Sequence, residues 1–505
     1  MEKKQEIRKK QFKQKINFQN QQEKRTNSLE SLRKAKRDLI ISKRRKVSEI
    51  KNENFNWKNA QISKEFSKIE KGNINTQRRS LRKMRKMLST STPKTIQIFL
   101  SFGIIEILQK YINSADFDIL LDVLWCITNI ASGNTEQTKA TLCFVPNLIL
   151  YLESMNYKIQ EQSCWALSNI AAEESLRSNL ISNGILPSII QILQNNQNNS
   201  LAFNAAFTLS NINRGDNPPV DLLFKYNISQ VAKIHLNSTS SGIITEILWM
   251  LSYLTTKQLY FQQLFEYEIS EDLVKIFGMG KREYVIPSLR SLSNICCSNN
   301  TRHLSLLLGY NSDNQMSLLD SCLKYLTSEN LVVKKETTWL VSNILSGTDE
   351  QIQSVISFQN AFGETILSSV VNNFLNDGSI EIKRESAYVL MNVWSVPGFF
   401  QQHFNSLEEI DATFVIQSFL GLLVLEDAKI HQLVLYFLQN LIENFPQSVN
   451  ILASFEIFNN IQRYLDENDE TVCFLANQLF NEDKLNENER MKEIDIEIDL
   501  NLNLN

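Results

Sequence analysis

The chain has 505 residues, of which 43% are hydrophobic, 14 are Gly and 8 are Pro, and its formal charge is −3. That length suits several ordinary domains or one long repeat array, and the scarcity of Gly and Pro argues against turn-dense β structure in favour of long helices. Residues 1–90 hold 28 Lys/Arg against 9 Asp/Glu, and the remainder 24 against 46, so a basic arm that could bind nucleic acid, an acidic partner or its own chain precedes an acidic body.

Residues 1–60 form the arm. It is charged from Glu2 onward with no apolar core, which is not the pattern of a secretory signal. Its basic clusters are Leu32-Arg33-Lys34-Ala35-Lys36-Arg37-Asp38 and Lys43-Arg44-Arg45-Lys46. Residues 61–75 read as a polar linker, residues 76–485 as a helical array, and residues 486–505 as an acidic disordered tail. The most apolar stretch, Phe414 to Leu425, is interrupted by Gln417 and is shorter than the roughly 20 residues of a membrane-spanning helix. Seven cysteines without regular spacing give no disulfide framework and fit a reducing compartment, with Cys296-Cys297 expected as buried structure.

A helical phrase recurs through the array. Leu124-Trp125-Cys126-Ile127-Thr128-Asn129-Ile130 returns as Cys164-Trp165-Ala166-Leu167-Ser168-Asn169-Ile170 and as Ala206-Phe207-Thr208-Leu209-Ser210-Asn211-Ile212. It continues through Trp249/Tyr253, Asn294, Trp339/Asn343, Tyr388/Asn392 and Tyr436/Asn440. The Asn or Tyr positions are spaced by 40, 42, 42, 41, 49, 49 and 48 residues. The shorter steps match an armadillo or HEAT period of about 40–47 residues, and the longer ones imply insertions between helices. Asn183-Gly184-Ile185-Leu186-Pro187 and Phe102-Gly103-Ile104 read as turns into the next helix. One such repeat cannot bury its apolar face alone. The expected fold is all-α, a right-handed superhelical solenoid of about ten armadillo repeats, with a basic N-terminal arm that is largely disordered or helical.

The aromatic and the Asn lie four residues apart, on one helix face. Stacked repeats then set two parallel ladders on one surface. Asn offers a donor and an acceptor to the backbone of an extended peptide, and Trp faces hold cations and the stems of Lys or Arg. Glu161 precedes Trp165 by four residues, and Glu246 and Glu336 precede Trp249 and Trp339 by three. Such a ladder suits an extended Lys/Arg-rich peptide. The competing explanation, a core Trp beside a buried structural amide, suits any single pair. It suits the whole series poorly, since a core has no evident need of repeated Asn.

Trp125–Lys139 (WCITNIASGNTEQTK), Glu161–Ala171 (EQSCWALSNIA), Asn211–Pro219 and Trp249–Thr255, in that order, resemble the importin alpha family, and LRKAKRD with Lys43–Val47 is similar to that family's importin-beta-binding segment. The resemblance implies a nuclear-import adaptor that shuttles between cytoplasm and nucleus. Its implied partners are cargo proteins bearing basic nuclear-localisation signals, importin beta, and the export receptor that recycles importin alpha. It implies no cofactor, no metal, no direct nucleic-acid binding and no membrane insertion. The implied major groove uses Trp125, Asn129, Ser132, Gly133, Thr138, Gln162, Trp165, Asn169, Glu173, Phe207, Asn211, Glu246, Trp249 and Tyr253. Gly133, Thr138 and Glu173 belong to its deepest lysine pocket. Glu173 stands where the family has Asp, and Phe207 where it has Trp. The implied minor groove uses Arg290, Asn294, Glu336, Trp339, Asn343, Glu385, Tyr388 and Asn392, with Tyr388 replacing Trp. The carrier-binding and autoinhibitory residues implied in the arm are Arg33, Lys34, Lys36, Arg37, Lys43, Arg44, Arg45 and Lys46.

Other chemistry finds little support. The four histidines are far apart and lack metal-ligand spacing, and no phosphate loop, dinucleotide fingerprint or nucleophile elbow is present. An adhesion or signalling scaffold would explain the repeats but not the arm. Nucleic-acid binding by residues 1–90 would be opposed by the acidic body.

Overall fold

The fold is taken from a computed structural model that describes residues 59–445, apart from residues 90–92, 196–197, 216, 299, 311–315, 397 and 406–408, and isolated positions between 448 and 479. The described residues are helical, and among them the β pairing is a single isolated bridge between Gln359 and Thr365. They divide into two compact units, separated in sequence between Ile295 and Cys296.

We label the first two helices α1 (Asn59–Lys71) and α2 (Ile74–Ser89), and the long helix that carries the recurring phrase of each repeat in turn. In the first unit these are α3 (Phe117–Ile130), α4 (Tyr157–Ala171), α5 (Asn199–Ile212), α6 (Ser241–Leu254) and α7 (Arg282–Cys296). In the second unit they are α8 (Leu331–Ile344), α9 (Ile380–Trp394) and α10 (Ala428–Asn444). In the first unit α2, α3, α4, α5 and α6 pack one on the next; in the second, α8 packs on α9 and α9 on α10. Shorter helices such as Ile185–Asn195 and Ile228–Leu236 cover the other side of each repeat.

This stacking explains why the long helices are apolar around most of their circumference. In α3 a neighbour lies on each side, and Ile119, Val123, Leu124, Cys126, Ile127 and Ile130 are all buried. A helix with one dry face would need fewer apolar residues. Each fully buried Leu or Ile contributes about 1.5–3 kcal/mol.

The helix starts were written locally. Asp116, Asn156, Asn198, Asn330 and Asp427 cap α3, α4, α5, α8 and α10, their side-chain oxygens accepting from backbone N–H groups of the first turn. An unpaired first turn leaves up to four donors unsatisfied, which these short polar residues meet. The cysteines are free thiols; Cys126, Cys164 and Cys296 are buried and Cys297 half-buried.

One sequence expectation meets a different structure, and another is located by it. Residues 61–75, read as linker, are mostly helix: α1 buries Ile62, Phe66 and Ile69 against α2, and buried Glu65 accepts from Lys68, Ser80 and Lys83. Packed helix is thus present where a linker was expected, because a short apolar spacing at 62, 66 and 69 was hidden among polar neighbours. The 49-residue step between Asn343 and Asn392 has its extra residues in the turn Gln359–Thr365, where Asn360 Oδ1 accepts from the N–H of Phe362 and of Glu364.

The turn into the next helix recurs with a left-handed residue. Gly103 and Gly184 have φ of +80° and +81°, and Asn227 and Glu268 occupy the same position at +58° and +54°. Gly takes this conformation freely and Asn tolerates it, whereas Glu268 crowds its Cβ against the carbonyl. Glu268 gains in return only an exposed ion pair to Lys233, at 3.1 Å. Glu268→Gly is therefore expected to raise stability by about 1 kcal/mol, read as a higher urea midpoint; a lower midpoint would contradict the strain assigned to this residue.

Candidate functional site

The phrase asparagines from Asn129 to Asn392 are buried, and four of their amides point along the stack from one phrase to the preceding one, whereas half-buried Asn440 donates to Tyr436 O of its own helix. Asn169 Nδ2 donates to Thr128 O at 3.0 Å, and Asn211 Nδ2 to Ser168 O at 3.4 Å. Asn294 Nδ2 donates to Ser252 O at 3.3 Å and to Thr255 Oγ1 at 3.1 Å. In the second unit Asn392 Nδ2 donates to Ser342 O at 3.0 Å. In all four the carbonyl acceptor is the one just before the Asn or Tyr of the preceding repeat. A buried carbonyl there would otherwise lack a partner, so repeated Asn has a structural use that the sequence argument had discounted. This use leaves Asn169 Oδ1 buried with no hydrogen-bond partner.

The first rung belongs to α2 and α3. Asn129 Nδ2 donates to Arg85 O at 3.4 Å, the Arg85 guanidinium lies 4.5 Å from the centroid of the Trp125 ring, and Arg85 Nε is 3.2 Å from Asp122 Oδ1. Arg82 Nε reaches Asp122 Oδ2 at 3.4 Å, and Arg78 pairs with Asp116. Burial raises the Asp122 carboxyl above its ordinary pKa, opposed by Arg85 and Arg82. The hydrogen bond from Arg78 lowers that of Asp116. Arg85 and Asp122 were not singled out in the sequence, although Asp122 precedes Trp125 by the same three residues that separate Glu246 from Trp249.

The second rung holds half-buried Trp165 above Asn169, and Gln162 Nε2 donates to Thr128 Oγ1 at 2.6 Å. At the third, Phe207 is buried and stacks on Phe203, with centroids 6.1 Å apart. At the fourth, Trp249 and Tyr253 are buried, and Glu246 accepts from Ser210 Oγ. The residues of the implied lysine pocket follow α3 and α4. Ser132 Oγ donates to Asn129 O at 2.6 Å, and Glu173 Oε2 accepts from Thr135 Oγ1 at 2.8 Å. Thr138 is fully buried, its hydroxyl within reach of Ala131 O and Asn134 O, so it holds the turn after α3 and presents no surface to a ligand. Gly133 is required by space: a Cβ there would meet Gln137 Oε1 at 2.2 Å, and Gln137 is held by a capping box and by Pro93 O.

The implied minor-groove residues fall in two units. Arg290 and Asn294 lie buried on α7 of the first. In the second, Glu336, Trp339 and Asn343 lie on α8, and Glu385, Tyr388 and Asn392 on α9, all buried. Glu385 is paired with Arg384 at 3.0 Å, and burial raises the Tyr388 hydroxyl pKa. Arg33, Lys34, Lys36, Arg37, Lys43, Arg44, Arg45 and Lys46 lie outside the described residues. Among the described residues no group of three His, Cys, Asp or Glu could hold a metal ion, and no helix is long and apolar enough to cross a membrane.

These stacked helices and rungs define an armadillo-repeat protein, and the armadillo/beta-catenin-like repeat profile matches residues 144–172. An engineered protein solved by crystallography shares the fold, with a TM-score of 0.69 at 22% identity over 85% of this chain and 99% of that one. A structure from work on a phosphorylation switch between cadherin and beta-catenin gives 0.68 at 14% identity, over 84% of this chain and 83% of that one.

The curated relatives are importin alpha subunits, so the resemblance carried by the motifs extends well beyond them. Importin subunit alpha-9 of Arabidopsis thaliana is 31% identical over 59% of this chain and 60% of that protein. Importin subunit alpha-1a of Oryza sativa subsp. japonica is 28% identical over 56% and 53%, and probable importin subunit alpha-A of Dictyostelium discoideum 25% identical over 58% and 60%. The chain thus spans between about half and three fifths of the length of these relatives.

The asparagine bonds make a direct prediction. Asn169→Ala removes the donor to buried Thr128 O and is expected to lower unfolding stability by about 1–2 kcal/mol. Urea unfolding followed by circular dichroism measures this, and an unchanged midpoint would show that the bond between repeats contributes nothing.

Proposed function

We propose that this protein is a nuclear-import adaptor that binds Lys/Arg-rich localisation signals as extended peptides along the Trp/Asn ladder. The observation that carries this reading is the first rung, where a cation already sits as a peptide cation would. Arg85 gives its carbonyl to Asn129, its guanidinium plane to Trp125 and its charge to Asp122. The same residue types recur at the rungs of Trp165, Trp249 and Trp339, with an acid three or four residues before each aromatic. Kinship to importin alpha subunits supports the same reading.

Cargo recognition centres on Trp165, Asn169 and the Ser132, Gly133 and Glu173 pocket, with a second site at the Trp339 and Tyr388 rungs. The basic arm, through Arg33 to Arg37 and Lys43 to Lys46, engages importin beta, and an export receptor returns the adaptor to the cytoplasm. Without its carrier the arm competes for the ladder, since a tethered ligand reaches an effective concentration in the mM range when its linker spans the distance. Carrier and cargo then bind with positive coupling.

A fluorescent basic signal peptide tests the ladder by anisotropy. Trp165→Ala, which leaves the Asn169 bond in place, is expected to weaken binding by about 1–2 kcal/mol, and the wild-type affinity should fall as salt is raised. Equal affinity in wild type and a folded Trp165→Ala protein would remove the ladder from the mechanism. Deleting residues 1–50 is expected to abolish capture of importin beta while tightening peptide binding in its absence; retained capture would refute the role given to the arm.

A further inference from the structure

The first rung is filled from the neighbouring helix. Its aromatic face, its acid and its asparagine are all engaged by one residue of the neighbouring helix, Arg85. Arg85 is about one-fifth exposed and Asp122 is buried, so this cation is held firmly in place. Around it α2 carries Arg78, Arg79, Arg82, Lys83, Arg85 and Lys86 and no acid. Asp116, Asp118, Asp122 and Glu65 pair with Arg78, Arg82, Lys83 and Arg85 among these. The side of the Trp125 ring that faces α2 therefore presents a fixed positive charge.

We infer that Arg85 is a specificity-determining residue, which ends the basic run of a bound peptide at the first rung and selects an acidic flank beyond it. The inference rests on the ladder reading above. A Lys or Arg reaching past Trp125 toward α2 would compete with Arg85 for one aromatic face and one carboxylate, at the cost of leaving two cations side by side. An Asp or Glu in the same place meets Arg82 and Arg85 and displaces nothing. Like charges set close together are a strong discriminator, while opposite charges at a half-exposed site add a modest gain. Specificity thus arises from rejection at one end as well as attraction along the rest of the ladder.

The test uses one basic core peptide extended at either end by two Lys, two Ala or two Asp, with affinities measured by anisotropy on the full chain. At one end only, the wild-type protein should bind the Asp flank about fivefold more tightly than the Lys flank. Arg85→Gln, which keeps the side-chain stem and the helix, should bring that ratio close to one or invert it. A parallel reading uses the protein labelled with 5-fluorotryptophan, which has six tryptophan positions. The Trp125 resonance, assigned through Trp125→Phe, should move on adding the Lys-flanked peptide to Arg85→Gln but not to wild type. A flank ratio that is the same in wild type and Arg85→Gln, with core binding intact, overturns the role of Arg85 alone. Failure of every core peptide to bind the chain lacking residues 1–50 overturns the ladder reading and this inference with it.

Discussion

The amides of Asn169, Asn211, Asn294 and Asn392 each reach the carbonyl just before the corresponding residue of the preceding repeat, and much else in the array depends on those bonds. Apolar burial alone would let neighbouring helices slide along one another, since it is non-directional. A buried amide-to-carbonyl bond fixes the register, because a slip leaves both groups unpaired in a dry interface. With Asn169 held on Thr128 O and Asn211 on Ser168 O, the aromatic four residues earlier on each helix is placed at a constant offset. The aromatic ladder is thus a consequence of the hydrogen-bonded one.

The rungs are not equivalent. Arg85 fills the first, and Arg384 is paired with the acid of the Tyr388 rung from the same helix. Phe207, at the third, keeps the stacked aromatic but lacks the indole N–H that a Trp would offer, and it rests on Phe203. Trp165 is half-buried, and the Glu173 carboxylate after α4 is oriented by Thr135. Under the proposed function, α4 is the helix expected to carry the main basic contacts, between the rung that Arg85 fills and a rung with a weaker aromatic.

Much of this was legible in the sequence, and the physical reasons differ from element to element. The recurring phrase and its steps of 40–42 residues act within one period of the chain; the Asx caps of α3, α4 and α5, which only the structure identified, are equally local. The left-handed turns at Gly103 and Gly184 were similarly local, since both the residue and its conformation are properties of one position. The first helix was missed because its apolar residues, Ile62, Phe66 and Ile69, are sparse and become a core only when α2 covers them.

The sequence by itself determined that the chain is an array of helical repeats with aromatic and amide residues in register, because periodicity and capping are short-range properties. Only the tertiary structure decided what those residues touch. Asn129 meets Arg85 from 44 positions earlier, and Asn392 meets Ser342 from 50 positions earlier. No local pattern distinguishes an asparagine that faces a ligand from one that faces the next repeat, since both require the same residue at the same helical spacing. Arg85 reads in the sequence as one more cation of a basic segment. Its place over Trp125 and against Asp122 exists only once α2 has stacked on α3, where burial leaves a carboxylate that a guanidinium must meet.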